Sequence, residues 1–152
     1  MLYGPQDVTM DNIYLEDGSS AVKCVDCLGI QIRNIFAKNV RGPSPSGVTI
    51  GMQRSHGGLL ENFTVTADYD KSWGQDGINI WRTSDFIVKN GVVENVVTPH
   101  GVCMMFEGSA PEVSGGYLEN VEARGCRTCF SGFPQKGLTM RNNTCGPQYC
   151  KD

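Results

Sequence analysis

Short runs of alternating apolar and polar residues recur along the chain, and each run ends in asparagine. The segments VTMDN, IQIRN, LLEN, IVKN, YLEN and LTMRN close at Asn12, Asn34, Asn62, Asn90, Asn120 and Asn142. Alternation over four to eight residues is the mark of a strand with one buried face, because successive side chains of a strand point to opposite sides. Successive asparagines are 22, 28, 28, 30 and 22 residues apart, a period at which a solenoid is the first architecture to consider. The unequal spacing fits a coil that keeps its strands and takes loop insertions on one side.

A second short strand follows each asparagine, as in IYLED, IFAKN, FTVTA and VVENV, and then a variable loop such as GPSPS, ADYDKSWGQD or TPH. A third strand comes after the loop: SAVKC, GVTIG, GINIW, GVCMM and TCFSG. Alternation places Val22, Val48, Ile78 and Val102 inward with Cys24, Ile50, Ile80 and Met104, and turns Lys23, Thr49, Asn79 and Cys103 outward. Three strands per coil and no helical pattern predict an all-β fold, a parallel β-helix of about five to six coils in which each strand pairs with its counterpart one coil away. Asparagine tolerates the left-handed backbone of a sharp bend, and its amide can bond the asparagines above and below, so an internal asparagine ladder is expected. The sequons Asn62-Phe-Thr and Asn142-Asn-Thr begin at ladder positions, which predicts that both are buried and unmodified.

Charge narrows the partners. Lys plus Arg is 13 against Asp plus Glu 16, a net charge of −3, without the basic excess that a phosphate-binding surface needs, so nucleic acid is not an expected partner. The longest apolar stretches, such as Val102 to Phe106, are far too short to span a bilayer, and MLYGPQDVTM lacks the pattern of a signal peptide. The expectation is a soluble chain with no membrane partner. Seven cysteines, at 24, 27, 103, 126, 129, 145 and 150, are an odd number and point to an extracellular or virion-surface setting. The pairs Cys24/Cys27 and Cys126/Cys129 have zinc-ligand spacing, but four repeats separate them, about 19 Å at the strand spacing of a sheet, too far for one ion. Stacked buried thiols are expected instead, with a disulfide between Cys145 and Cys150 left open.

The segments GINIWRTSDFIVKNGVVENV and SAVKCVDCLGIQIRNIFAKNV resemble repeats of the pectin-lyase-like superfamily, and the resemblance runs over nearly the whole chain. That superfamily holds pectate and pectin lyases, polygalacturonase-like hydrolases, uronan epimerases and phage tailspikes. The resemblance implies a right-handed, single-stranded parallel β-helix that meets polysaccharide. Gln75-Asp76-Gly77-Ile78 is similar, with one change, to the N-T-D-G-I stretch of the polygalacturonase-like hydrolases, which implies a catalytic role for Asp76. One coil later those enzymes carry a paired D-D where this chain has Pro99-His100-Gly101, and their G-H-G follows, whereas His56-Gly57 here precedes Asp76. Inverting hydrolysis needs two carboxyl groups, and the sequence offers Asp76 alone. Members of the superfamily are generally longer. The 152 residues are therefore expected to form one β-helix domain that is a segment or truncated member of a longer β-helix, its ends covered by the rest of a larger chain or by a homo-oligomer, of which trimers are common among spikes of this resemblance.

Other chemistry is written into the loops. A lyase or epimerase needs a base for the proton beside a uronate carboxyl and a cation for the developing charge; His100 is the candidate base, and Arg82 or Lys23 the cation. A histidine beside proline also suits a solvated turn, and both readings stand. Asp68, Asp70, Ser72 and Asp76 fall at positions 1, 3, 5 and 9 of a calcium-loop spacing, with Asn79 at position 12. Calcium is the cofactor such a loop would take, although Trp73 stands where that loop needs glycine, and an acidic surface loop is the alternative. Trp81, beside Asn79, and Trp73 in the loop above could offer apolar faces to a sugar ring. Three functions compete: an enzyme acting on an acidic polysaccharide, as lyase, hydrolase or epimerase; a non-catalytic carbohydrate-binding or spike module; and a structural solenoid.

Overall fold

The computed structural model describes residues 1–40, 47–68, 74–98, 101–108, 114–132 and 136–148. In chain order the strands are β1 (Leu2–Tyr3), β2 (Thr9–Glu16), β3 (Val22–Val25), β4 (Gln31–Lys38), β5 (Val48–Gln53), β6 (Leu59–Thr66) and β7 (Asp76–Trp81). They continue as β8 (Ile87–Glu94), β9 (Val102–Glu107), β10 (Tyr117–Arg124), β11 (Thr128–Gly132), β12 (Thr139–Arg141) and β13 (Thr144–Cys145). Odd-numbered strands from β1 to β11 form one six-stranded sheet, and even-numbered strands from β2 to β12 form the spine of a seven-stranded one, with β13 beside β10. Every pairing is parallel. A third side is marked by single parallel bridges from Gln6 through Leu28 and His56 to Ser84, and from Ser114 to Lys136. This is the parallel β-solenoid that the repeats predict. Full-length strands on both sheets occur in about three turns, those of β5/β6, β7/β8 and β9/β10, where five to six coils were expected. The six-stranded sheet shortens toward both ends, whereas the seven-stranded sheet keeps eight-residue strands from β2 to β10 and shortens only at β12 and β13.

The strands before and after each asparagine from Asn12 to Asn120 are one strand bent in the middle, while Asn142 lies between β12 and β13. Asn12, Asn34, Asn62, Asn90, Asn120 and Asn142 all have φ between 52 and 57°, a left-handed conformation that asparagine adopts more readily than most residues. One such residue turns the chain and shifts the alternation by one position. Thus Ile32 faces in, Arg33 and Asn34 face out, and Ile35 and Ala37 face in again. The six asparagines are exposed, which corrects the expectation of an internal ladder and of buried sequons at Asn62 and Asn142. Side-chain rungs join Asn62 to Asn34 at 3.2 Å and Asn120 to Asn90 at 3.1 Å, but Asn34 donates to Asp11 rather than meeting Asn12. The bend points outward because the inside of the corner is filled by the apolar residues on either side of it.

Core residues stack in columns set by the register. Ile32, Leu60, Val88 and Leu118 form one such column, and Val22, Ile50, Ile78 and Met104 another. The column Ile35, Phe63, Gly91, Val121 compensates within itself: a Cβ on Gly91 would overlap the Phe63 ring. Gly91→Ala is therefore expected to destabilise the fold by about 1–3 kcal/mol through overpacking. Denaturant unfolding should show most of that loss restored when Phe63→Leu is added, the two sites being in contact.

Four inward and outward assignments change at the corner where the six-stranded sheet begins. Val48 lines an outer groove with Asp76 and Val102 stands in the same outer row, whereas Thr49 lines an interior cavity and Cys103 is fully buried. The chain enters each strand through a bend, so two consecutive residues turn inward there and simple alternation fails. Cysteines that were expected as stacked thiols are disulfide-bonded: Cys24 to Cys27, Cys103 to Cys126 and Cys129 to Cys145. Cys145 thus pairs with Cys129, and Cys150 lies outside the described residues.

On the outer face of the seven-stranded sheet, register brings charges of opposite sign together. Asp11, Arg33, Glu61, Lys89, Glu119 and Arg141 stand one above another in that order. Glu61 bonds both neighbours, Lys89 at 3.0 Å and Arg33 at 3.6 Å.

Candidate functional site

Strands β5, β7 and β9 place three rows of side chains on the outer face of the six-stranded sheet. Val48, Asp76 and Val102 form the first row, Gly51, Asn79 and Met105 the second, and Gln53, Trp81 and Glu107 the third. Lys23 precedes Gly51 in the second row. Because Gly51 carries no side chain, the stem of Lys23 lies over it and its chain lines the same groove as Asn79, with Gly51 3.8 Å from Lys23 Cγ at the position a Cβ would take. The groove encloses about 200 Å³ and is completed by Gln53, Gln75, Trp81 and Glu107.

Asp76 is the centre of the groove. It is only 3% exposed, and Asn79 beside it 5%. Asn79 Nδ2 donates to Asp76 Oδ2 at 2.8 Å and to Glu107 Oε2 at 3.2 Å, so one amide group joins two carboxyl groups. Asp76 Oδ1 has no hydrogen-bond partner. Burial pushes the Asp76 carboxyl up to about 6, the Asn79 hydrogen bond works against that rise, and the negative charge of Glu107 adds to it. The pair has the makings of acid and base: a carboxyl group that keeps its proton into the mildly acidic range, beside a second carboxylate at the groove mouth.

Behind Asp76 lies a cavity of about 10 Å³, lined by Asp76, Thr49, Thr66 and Glu94 among apolar neighbours. Glu94 is held there by the Thr66 hydroxyl at 2.8 Å and by Arg124 at 2.7 Å.

On the far side of Trp81 is a second, wider cleft of about 450 Å³, lined by Asp26, Arg54, His56, Arg82 and Ser84 among others. Asp26, Arg54 and Arg82 all sit in left-handed bends at successive turns of the same corner. Arg54 makes two hydrogen bonds to the Asp26 carboxylate, at 2.8 and 2.7 Å, which holds the Asp26 carboxyl below its ordinary value. The guanidinium groups of Arg54 and Arg82 lie 5.8 and 5.1 Å from the Trp81 ring, within cation–π range. His56 Nδ1 meets both Ser84 Oγ at 2.7 Å and Asp85 Oδ2 at 3.3 Å. A serine–histidine–aspartate relay needs the two partners on different ring nitrogens, so these three residues form no triad.

The residues singled out in the sequence are partly brought together. Asp76, Asn79, Trp81 and Lys23 share the groove. Arg82 does not join them; it stands in the second cleft against the indole, because it follows Trp81 at the bend and points away from β7. Trp81 is half-buried between the two clefts rather than a bare platform. His100, Trp73, Asp70 and Ser72 lie outside the described residues. Asp68 is engaged elsewhere, accepting from Asn39 Nδ2 at 3.0 Å and pairing with Lys38 at 3.3 Å. Asp68 and Asp76 thus face different partners, and among the described residues no group of three or more His, Cys, Asp or Glu side chains could hold a metal. The calcium spacing therefore has no matching cage among those residues.

Glu107 was not foreseen. It ends GVCMMFE, where a charged residue looks like an ordinary solvated strand end. Aligning GINIW with GVCMM by their glycines sets Met105 beside Trp81 and misses it; the observed register pairs Asp76 with Val102 and so brings Glu107 to Trp81. No known protein family matches the chain, and no curated protein does.

Proposed function

We propose that the protein cleaves a polysaccharide by acid–base chemistry in the groove over β7 and β9. Asp76 donates a proton to the glycosidic oxygen as the bond from that oxygen to the anomeric carbon breaks, and Glu107, whose negative charge favours the oxocarbenium-like transition state, bonds to that carbon until water displaces it and returns a proton to Asp76. The observation that carries this reading is the pairing of two carboxyl groups through one Asn79 amide, with Asp76 pushed up to about 6. The second carboxyl group that hydrolysis requires, unseen in the sequence at Pro99-His100-Gly101, is available at Glu107. Resemblance to the pectin-lyase-like superfamily supports a polysaccharide as the substrate, and Lys23 and Trp81 are suited to hold its carboxylate and sugar ring. Three disulfides suit the extracellular or virion-surface setting that the cysteine count suggested.

Incubation with acidic and neutral polysaccharides, followed by both reducing-end formation and absorbance at about 235 nm, tests the reading. New reducing ends without absorbance are expected. Absorbance would mean β-elimination and move the chemistry elsewhere, and silence in both would leave a binding module with Trp81 at its centre. Glu107→Gln is expected to lower turnover by about 10²- to 10⁴-fold. It should also lower the pH above which the remaining activity falls, because the charge that helps keep Asp76 protonated is gone.

A further inference from the structure

Two buried oxygens in the groove lack a donor: Asp76 Oδ1 and Asn79 Oδ1. Buried acceptors without partners are rare in folded proteins and costly, so each one calls for an explanation. Their parent groups are already joined by the 2.8 Å bond from Asn79 Nδ2 to Asp76 Oδ2. The amide cannot simply be turned over, since Nδ2 meets carboxylate oxygens of both Asp76 and Glu107 and an oxygen in its place would repel both. A single proton resolves both orphans. Placed on Asp76 Oδ1, it makes that oxygen a donor and gives Asn79 Oδ1 the partner it lacks.

We propose that Asp76 carries its proton on Oδ1 and donates it to Asn79 Oδ1, so that Asn79 is the positioning residue that holds the acid neutral and fixes where its proton points. Acid and amide then form a closed ring of two hydrogen bonds. The same amide separates the roles of the two carboxyl groups: Asp76 is bonded through both of its oxygens, whereas Glu107 only accepts. A substrate oxygen entering the groove would compete with Asn79 Oδ1 for the proton. The catalytic consequence rests on reading Asp76 as the proton donor, but the ring itself does not.

The charged groups around Asp76 are Glu107 on β9 and Lys23 on β3 in the groove, and Glu94 on β8 across the small cavity. The two glutamates favour the proton and Lys23 opposes it. Asn79 decides the matter by the sign of its effect. An amide that only donates stabilises the ionised form and holds the titration midpoint down, whereas one that also accepts the acid's proton stabilises the neutral form and holds the midpoint up.

The test is a carbon-13 carboxyl titration of the full chain without substrate, comparing the wild type with Asn79→Leu, which keeps the volume and removes both hydrogen bonds. The Asp76 midpoint is expected to be lower in the variant than in the wild type while staying above the ordinary carboxylate range, because the burial that raises it remains; a rise would mean that the bond Asn79 donates outweighs the one it accepts and would overturn the proposal. Should that variant fail to fold, neutron diffraction from wild-type crystals held below pH 6 decides instead. A deuteron on Asp76 Oδ1 facing Asn79 Oδ1 is expected, and one on Oδ2, or none, overturns the ring. Neither experiment uses turnover, so a protein that cleaves no polysaccharide can still have the ring, and one that does can still lack it.

Discussion

Asp76→Asn is expected to remove about 10²- to 10⁴-fold of turnover and at the same time to raise the stability of the protein. The loss follows from the role of a general acid, whose removal typically has that effect. The gain follows from the burial of the carboxyl group, which moves its folded-state value from 3.8 to about 6. Below the lower value both folded and unfolded chains hold the proton, and the position is neutral to stability. As pH climbs through the window between the two values, the unfolded chain ionises first and stability is lost. Above the window the loss is constant, about 3 kcal/mol at 1.36 kcal/mol per tenfold change in proton affinity. An asparagine has no proton to lose, so near pH 7 the variant should melt about 6–12 °C higher, with the difference vanishing below pH 4. Thermal melts at a series of pH values check this. Equal stability at pH 7 would mean that the carboxyl group is not desolvated as described, and unchanged turnover would remove Asp76 from the chemistry.

The other large effect belongs to the disulfide between Cys103 and Cys126. It closes a separation of 23 residues and ties β9, which carries Glu107, to the turn after β10. Replacing both cysteines with alanine is expected to cost about 3 kcal/mol, most of it through the greater freedom of the unfolded chain. Urea unfolding should show the midpoint fall in the double variant. Turnover should fall as well at temperatures where the fold is intact, because Glu107 is then held by hydrogen bonds alone. If turnover is untouched while stability drops, the bridge serves the fold and not the groove.

The solenoid was legible because its signal is repeated: six asparagines in the same local context mark six bends, whatever the loop lengths between them. What the repeat could not give was the direction of those bends. The asparagines face solvent because the residues that shift phase around them, such as Ile32 and Ile35, take the inside of the corner. Disulfide pairing was equally hidden, since Cys103 and Cys126 meet only because one turn of chain lifts Cys126 beside the start of β9. Alternation misplaced Thr49 and Cys103 for the same reason, as a bend turns two neighbours inward where a straight strand would turn one. At the site, Asp76 and Asn79 were visible from their motif, and Arg82 was misjudged because its position at a bend reverses its direction. Glu107 needed register, which a single strand does not carry.

The charge column on the seven-stranded sheet bears on how such a chain can grow. Signs alternate from Asp11 to Arg141 one coil at a time, and like charges placed directly opposite destabilise a pair of strands. Duplicating one coil would set two acids or two bases face to face, whereas duplicating two neighbouring coils would leave every contact between opposite signs. The column therefore imposes parity on the repeat number: lengthening or shortening by pairs is tolerated, and a single added or deleted coil carries a built-in mismatch at its seam.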